Sequence, residues 1–443
     1  MRHILKLSII PVFFIFICTI FCSPVFADNS SPADEKLTLP NAIKIAISDN
    51  FIIREAVENK KRAVMNKQSA FKNFLPKASA NYRYTRLKET PFGVFGTNKI
   101  DVSDKDNYHW DVTVTQPVFT GFALSSKYNM AKLGIEAKKI EKNLTTLDIV
   151  KMVKTAYYNI LLAKKIYLVS DESVSNLESH KNNSENFFNQ GMIPYNDLLR
   201  AQVSLADSIQ NREKAGARVK MAVSALNTLL EIDINKNTQV EDIAEPQNLS
   251  YDLSVLSKKA VNNRSELKLL HLAIENIDNS IKIVQSSRYP QVSMIAAYEQ
   301  NGDNPGVTNN DFNNRFNSSL TLAASWSFFE WGKTKTDTSA YRHYKRSLSA
   351  KLKTVENNIR METKNAFLNL MVAEKNIKTS KVSLSQAKEN WRITNLQYKQ
   401  QIATSTDVLD ARTFLTNAET NYYSALYGYM ISLANLQRAV GEK

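Results

Sequence analysis

Ala156-Tyr157-Tyr158-Asn159-Ile160-Leu161-Leu162-Ala163-Lys164-Lys165 returns as Ala366-Phe367-Leu368-Asn369-Leu370-Met371-Val372-Ala373-Glu374-Lys375, 210 positions later. The same offset pairs Phe188 with Tyr398, Asp197 with Asp407, Ala201 with Ala411, Asn211 with Asn421 and Leu226 with Leu436. A register held over about 70 residues of helix-like sequence marks an internal repeat. Whatever this chain folds into is therefore assembled from one structural unit used twice. We place the first unit at 28–250 and the second at 251–443, after a leader at 1–27.

Each unit changes hydrophobic period in the same order. Leu39 to Phe74 reads as a helix whose apolar stripe begins with Ala42, Ile45, Ala46, Phe51 and Ile52. Pro76 ends it. The period then drops to two. Ala78, Ala80, Tyr82 and Tyr84 alternate with Ser79, Asn81, Arg83 and Thr85, and Trp110, Val112 and Val114 alternate with Asp111, Thr113 and Thr115. Glu89 to Asn107 between them reads as a loop. In the second unit a helix over Leu253–Ser287 stops at Pro290, and a strand follows with Val292, Met294, Ala296 and Tyr298 on one face. After a turn-rich stretch, Leu320, Leu322, Ala324, Trp326 and Phe328 alternate with Thr321, Ala323, Ser325 and Ser327.

These four strands each have one apolar and one small or polar face and run about 10 residues, enough to cross a bilayer at a tilt. Half-buried strands of a soluble sheet are the competing reading. The leader and the lack of any later apolar run long enough for a membrane helix favour the bilayer. Trp110, Val112, Val114, Leu320, Leu322 and Trp326 are then the lipid-facing positions. A sheet in hydrocarbon must close, because open edges leave backbone groups unsatisfied. Known barrels need at least about eight strands, so four per chain require an oligomer. Two chains supply eight strands and three supply twelve.

After each strand pair the helical period returns. From Phe122 to Phe188 only Gly134 is a potential breaker, and Leu133, Ala137, Ile140, Leu144 and Leu147 keep a 4-3-4-3 spacing. Leu348, Leu352, Val355 and Ile359 are the matching seam. About 67 helical residues make a rod of roughly 100 Å. Turns at Gly191-Met192-Ile193-Pro194 and at Gln401 to Ser405 reverse the rods into return helices. Such rods suit a bundle or a cylinder of helices.

Residues 1–27 read as a cleaved secretory leader, with Arg2 and Lys6 before the apolar stretch Ile9–Phe21 and Val25-Phe26-Ala27 as the cleavage site. Cys22 follows Phe21, too bulky for a lipoprotein signal, so lipidation is not expected. Both cysteines, Cys18 and Cys22, lie in the leader, which leaves no disulfide or thiol chemistry in the mature chain. The net charge of +14 is spread along helix faces among acids, the signature of solvated helix surface and not of a nucleic-acid face.

No enzyme signature is present. Gly332-Lys333-Thr334 resembles the end of a phosphate loop, but Ser327 stands where its leading glycine belongs. His3, His109, His180, His271 and His343 are isolated, with no metal-ligand spacing. One acidic pair stands out: Asp407 and Asp410 lie three apart on one face at the start of a return helix. Dipole-favoured N-terminal acids would account for Asp407 alone. The first unit offers Asp197 and, opposite Asp410, Arg200. In a ring of subunits these carboxylates would form charged girdles that attract cations.

Taken together, the duplicated order and four motifs resemble the TolC family of outer-membrane efflux and secretion channels. The motifs are Gln116-Pro117-Val118-Phe119-Thr120-Gly121, Trp326-Ser327-Phe328-Phe329-Glu330-Trp331-Gly332, Gln190 to Leu198, and Thr406-Asp407-Val408-Leu409-Asp410-Ala411. The resemblance implies an α+β membrane protein: a homotrimer whose twelve-stranded β-barrel, four strands per chain, sits in outer-membrane lipid and continues into a long periplasmic α-helical barrel. It implies a passive exit duct for a tripartite efflux or type I secretion system. A periplasmic adaptor and an inner-membrane pump of the RND, ABC or MFS type would be its partners, with no cofactor, catalysis or nucleic acid. By motif, Tyr398, Asp197, Asp407 and Asp410 match the family's periplasmic gate. Gly191, Met192, Ile193, Pro194, Gln401, Ala403 and Thr404 match the hairpin tips that meet the adaptor. The family's gate arginine falls on Ala403, and Gln401 replaces a usual glycine, which leaves Arg200 or Arg412 to serve in the latch. A non-porating periplasmic coiled-coil scaffold or adaptor is the alternative function.

Overall fold

Asn50 sets the first departure from the sequence pattern. It breaks the expected helix Leu39–Phe74 into α1 (Leu39–Asp49) and α2 (Phe51–Lys72). Its extended backbone ends α1, and its side-chain oxygen accepts from the Ile52 amide to start α2. Its Nδ2 donates to the carbonyl of Leu229 at 3.0 Å. The second unit breaks at the equivalent place, between α5 (Leu253–Asn263) and α6 (Ser265–Gln285), so the expected Leu253–Ser287 helix is also two helices. There Arg264 reaches the carbonyl of Ala439, 210 positions after Leu229. Two different side chains thus make one conserved bend, and neither carries a helix-breaking signal of the glycine or proline kind.

A computed structural model of the chain describes residues 36–243, 251–312 and 314–442. The leader and the junction between the two units at 250 and 251 lie at or beyond the limits of the described residues. The elements run α1, α2, β1 (Lys77–Arg86), β2 (Phe92–Phe95), β3 (Asn98–Asp101), β4 (Asp106–Phe119), α3 (Ala123–Asn189) and α4 (Tyr195–Leu229). Then follow α5, α6, β5 (Gln291–Gly302), β6 (Phe316–Ser325), α7 (Lys333–Lys399) and α8 (Ser405–Ala439). The long helices match in length, 67 residues for α3 and α7 and 35 for α4 and α8. Gly134 does not interrupt α3. Among the described residues no helix is long and apolar enough to cross a membrane.

The stretch expected as a loop before β4 holds a small antiparallel hairpin, β2–β3. Its strands are four residues each, too short for the alternation to announce them. The other strands form one antiparallel sheet in the order β1-β4-β5-β6. Directly opposed residues of such a sheet share a face. The register sets Val112 against Ala80 and Tyr298, Val114 against Ala78 and Ala296, and Met294 against Leu322. The apolar alternates of all four strands therefore merge into one continuous face, while Asn81, Asp111, His109 and Asn301 hydrogen-bond on the other. Five of the six expected lipid-facing residues lie on that apolar face. Trp326 does not, because β6 ends at Ser325. Its indole instead donates to the Arg288 carbonyl at 3.2 Å. Pro117 is accommodated in β4 by a register shift between it and Phe119. The edges β1 and β6 are unpaired within the chain.

The two units build two cores from matching positions. Ala42, Ala46, Ile53, Ile149, Ile160, Leu226 and Leu230 are buried in one. Leu256, Ala260, Leu267, Ile359, Leu370, Leu436 and Val440 occupy the equivalent places in the other. Each core clamps the short helix pair onto the middle of a long hairpin. The cores thus lie far from both the sheet and the hairpin turns, which they hold at opposite ends.

Candidate functional site

The turns that reverse the two long hairpins are built alike from unlike residues. Gly191 adopts φ 70° and Gln401 adopts φ 62°. Gln401 therefore keeps the left-handed turn without a glycine, at a cost of about 1 kcal/mol. The return helices start differently. Pro194 precedes α4 with no side-chain cap, whereas Thr404 and Asp407 form a reciprocal capping box on α8. The Asp407 carboxylate accepts from the Thr404 amide at 2.8 Å and from its hydroxyl at 2.7 Å. Those bonds hold it below the ordinary aspartate range. Asp410, one turn further along α8, is exposed.

Tyr398 is not on the surface of its turn. It is 3% exposed and its hydroxyl pairs with the Ser184 hydroxyl of α3 at 2.8 Å. Its ring lies 4.7 Å from that of His180 and 5.6 Å from that of Phe187. Burial raises its phenol, and the Asp197 charge adds to the shift. His180 is itself buried and bonds the Ser405 hydroxyl, at the start of α8, at 2.9 Å. Burial pushes His180 down to about 4, so it is neutral at neutral pH.

Two further bonds tie the turns together. Arg200 of α4 donates to the Thr406 hydroxyl at 2.9 Å, and the Gln401 amide reaches the Met192 sulfur at 2.7 Å. Met192 is exposed, as are Gly191, Pro194, Thr404 and Ile402, while Ile193 and Ala403 are half-covered. The tip thus presents an apolar, accessible end. Of the two arginines considered for the latch, Arg200 is at the tip. Arg412 is not. It is 2% exposed within the hairpin shaft, 3.8 Å from Glu419 and with Trp391 beneath its guanidinium.

The structure therefore brings Tyr398, Asp197, Asp407, Thr404, Gln401 and Met192 to one end of the molecule. It adds His180, Ser184, Ser405 and Thr406, which sequence reasoning passed over. His180 looked isolated because its partners lie on other helices, Ser405 being 225 positions away. Among the described residues no group of His, Cys, Asp or Glu could hold a metal ion.

The described fold is thus a duplicated chain with a two-faced sheet at one end and two long helical hairpins reaching to the other. The sequence matches the outer membrane efflux protein family over residues 42–230 and 256–442, and the chain belongs to that family. Members of the family are channels for efflux and not enzymes. The chain is 20% identical to toxin and drug export protein A of Aggregatibacter actinomycetemcomitans, over 88% of this chain and 86% of that one. It is also 20% identical to outer membrane protein TolC of Escherichia coli strain K12, over 65% of this chain and 60% of that one. Its fold is similar to the Campylobacter jejuni CmeC outer membrane channel, with a TM-score of 0.78 and 13% identity over 91% of this chain and 85% of that one.

Proposed function

We propose that this protein is the outer-membrane exit duct of a tripartite efflux or secretion system. Three copies would close a twelve-stranded barrel that opens into a periplasmic tube of helices. The observation that carries the reading is the sheet. It has four strands, one continuous apolar face and two unpaired edges, and Leu320 and Leu322 on that face are 72% and 71% exposed. An apolar face of this extent needs lipid or a partner, and open edges in lipid need closure by further copies. Substrate would pass without chemistry. A periplasmic adaptor would meet the exposed tips around Met192, Pro194 and Ile402, and an inner-membrane pump would supply the energy.

The gate would lie at the same tips. Asp407 is engaged in capping α8, so Asp410 is the carboxylate left to face the lumen, with Asp197 beside Tyr398 behind it. Arg200 on Thr406 would serve where the family's gate arginine is replaced by Ala403. The first test is fractionation. Heat-modifiable, SDS-resistant oligomers in the outer-membrane fraction that conduct in planar bilayers support the duct. A soluble periplasmic monomer would instead establish the scaffold reading. Replacing Asp407 and Asp410 with Ala should weaken divalent-cation block of single-channel current, and Asp410→Ala alone should reproduce most of that effect. Unchanged block in both variants removes the gate assignment.

A further inference from the structure

One seam between the two units is visible within the chain, and it is a template for the seam between chains. In it β4 pairs with β5, Asp111 opposite Glu299 and Val112 opposite Tyr298. The link from β4 to α3 turns through two left-handed residues, Gly121 and Phe122, and Phe119 and Phe122 pack edge-on against Tyr289. Gly121 lies so close to the Ser286 carbonyl that any Cβ would collide with it. The second unit repeats the device at Trp331 and Gly332, with φ 49° and 80°. Among the described residues nothing receives it. Trp331 is 90% exposed, Phe328 81% and Phe329 64%, and β6 has a free edge.

The equivalent receiving surface is the end of α2 and the start of β1, which another copy must supply. Its residues differ from the template in a complementary way. The positions equivalent to Ser286 and Tyr289 are Lys72 and Leu75, and beside them Phe71 and Phe74 cluster with Tyr128 at 6.2–6.3 Å. Phe71 is 53% and Leu75 49% exposed. The position held by Gly121, packed on backbone at the inner seam, is thus held by the exposed Trp331 in the second unit. A tryptophan cannot approach as Gly121 does, so the outer seam must be wider there and filled by rings.

We propose that Trp331 and Phe329 of one copy seat on Phe71, Phe74 and Leu75 of a second copy, with β6 antiparallel to that copy's β1 and Thr321 opposite Thr85. The register follows from shifting Asp111–Glu299 by the repeat offsets, 210 for the strand-to-helix half (α3 against α7) and 214 for the helix-to-strand half (β1 against β5). It also sets Leu322 against Tyr84 and Ala324 against Tyr82, which keeps the apolar face unbroken across the seam. The contact is head-to-tail, so it forms a closed ring only when the rotation per copy divides the circle. The proposal rests on the oligomeric duct reading and adds the partner surface and register.

Cysteine pairs test it, because the only native cysteines, Cys18 and Cys22, lie ahead of residue 28. The full-length protein carrying Thr85→Cys with Thr321→Cys should oxidise in membranes to covalent dimers and trimers that survive boiling in SDS. The shifted pair Asn81→Cys with Thr321→Cys should yield at least roughly tenfold less. Separately, Trp331→Ala should lower the temperature at which SDS-resistant oligomers dissociate by several degrees, and Trp331→Phe should restore most of it. Stable oligomers that cross-link equally in both pairs, or that ignore Trp331→Ala because the rings lie in lipid headgroups, overturn the clasp and leave the duct standing. Absence of any oligomer overturns both.

Discussion

The two hairpins have the same lengths and the same left-handed turn, yet they treat their last aromatic residue in opposite ways. Phe188, at the end of α3, packs its ring at a tilt against Tyr195 of its own return helix at 5.2 Å. Tyr398, its equivalent at the end of α7, bonds Ser184 of the other hairpin. The first hairpin starts its return helix uncapped at Pro194. The second is fastened to the first through Tyr398, His180 and Ser405, and it carries both a capping box and a buried ion pair, Arg412–Glu419. The lesson is that duplication preserved the backbone and specialised the fastenings. The second hairpin is the one whose position depends on polar bonds that can be broken.

The ion pair should break that comparison most strongly. Burial presses Arg412 down and Glu419 up, and each partly restores the other. Removing one partner of a buried pair leaves an uncompensated charge. Glu419→Ala should therefore destabilise the detergent-solubilised protein by about 4 kcal/mol in a urea titration. The first unit has Gln202 and Ile209 at these positions. Installing them together, Arg412→Gln with Glu419→Ile, should recover most of the loss. A single variant as stable as the parent would mean that the pair is not buried in the assembly.

Acid should loosen the second hairpin selectively. His180 is neutral in the folded chain down to about pH 4, whereas the unfolded chain takes up its proton near pH 6.5. The unfolded state thus binds more protons in that window, and stability falls as pH drops from 6.5 to 4, by up to about 3 kcal/mol. Above pH 6.5 this contribution is constant. Hydrogen exchange at the start of α8 should rise in the same window while the start of α4 stays protected. His180→Asn should flatten the profile, and a profile identical to the parent's would assign the acid sensitivity elsewhere.

Smaller effects concern the turns. Thr404→Ala removes the capping box and should cost about 1 kcal/mol, whereas Pro194→Ala has no cap to lose. Gln401→Gly should stabilise the second turn by a few tenths of a kcal/mol to about 1, and Gly191→Gln should cost a similar amount at the first. Equal responses of the two hairpins to the cap and turn variants would dissolve the distinction between them.

Much of this was legible along the chain. The 210-residue offset foretold two hairpins of equal length, and the period changes located the long helices and the main sheet strands. Periodicity reports only which face of an element is apolar. It could not announce the bends at Asn50 and Arg264, because there a polar side chain acts on a carbonyl about 180 residues away. It carried β6 on to Trp326, because the alternation continues after the hydrogen-bonded ladder has stopped. The site was legible in part. The residues named by motif lie at the hairpin turns, and Tyr398 among them is buried and paired with Ser184 of the neighbouring hairpin. His180 was set aside as isolated because its partners belong to other helices.

Sequence by itself determined the repeat, through the 210-position offset, and the order of elements and the sheet's two-faced character, which depend on residues a few positions apart. Tertiary structure alone decided which carboxylate is spent on a helix cap, which arginine reaches the tip, and that Tyr398 fastens one hairpin to the other. Those outcomes depend on distances between helices, which no spacing along the chain encodes.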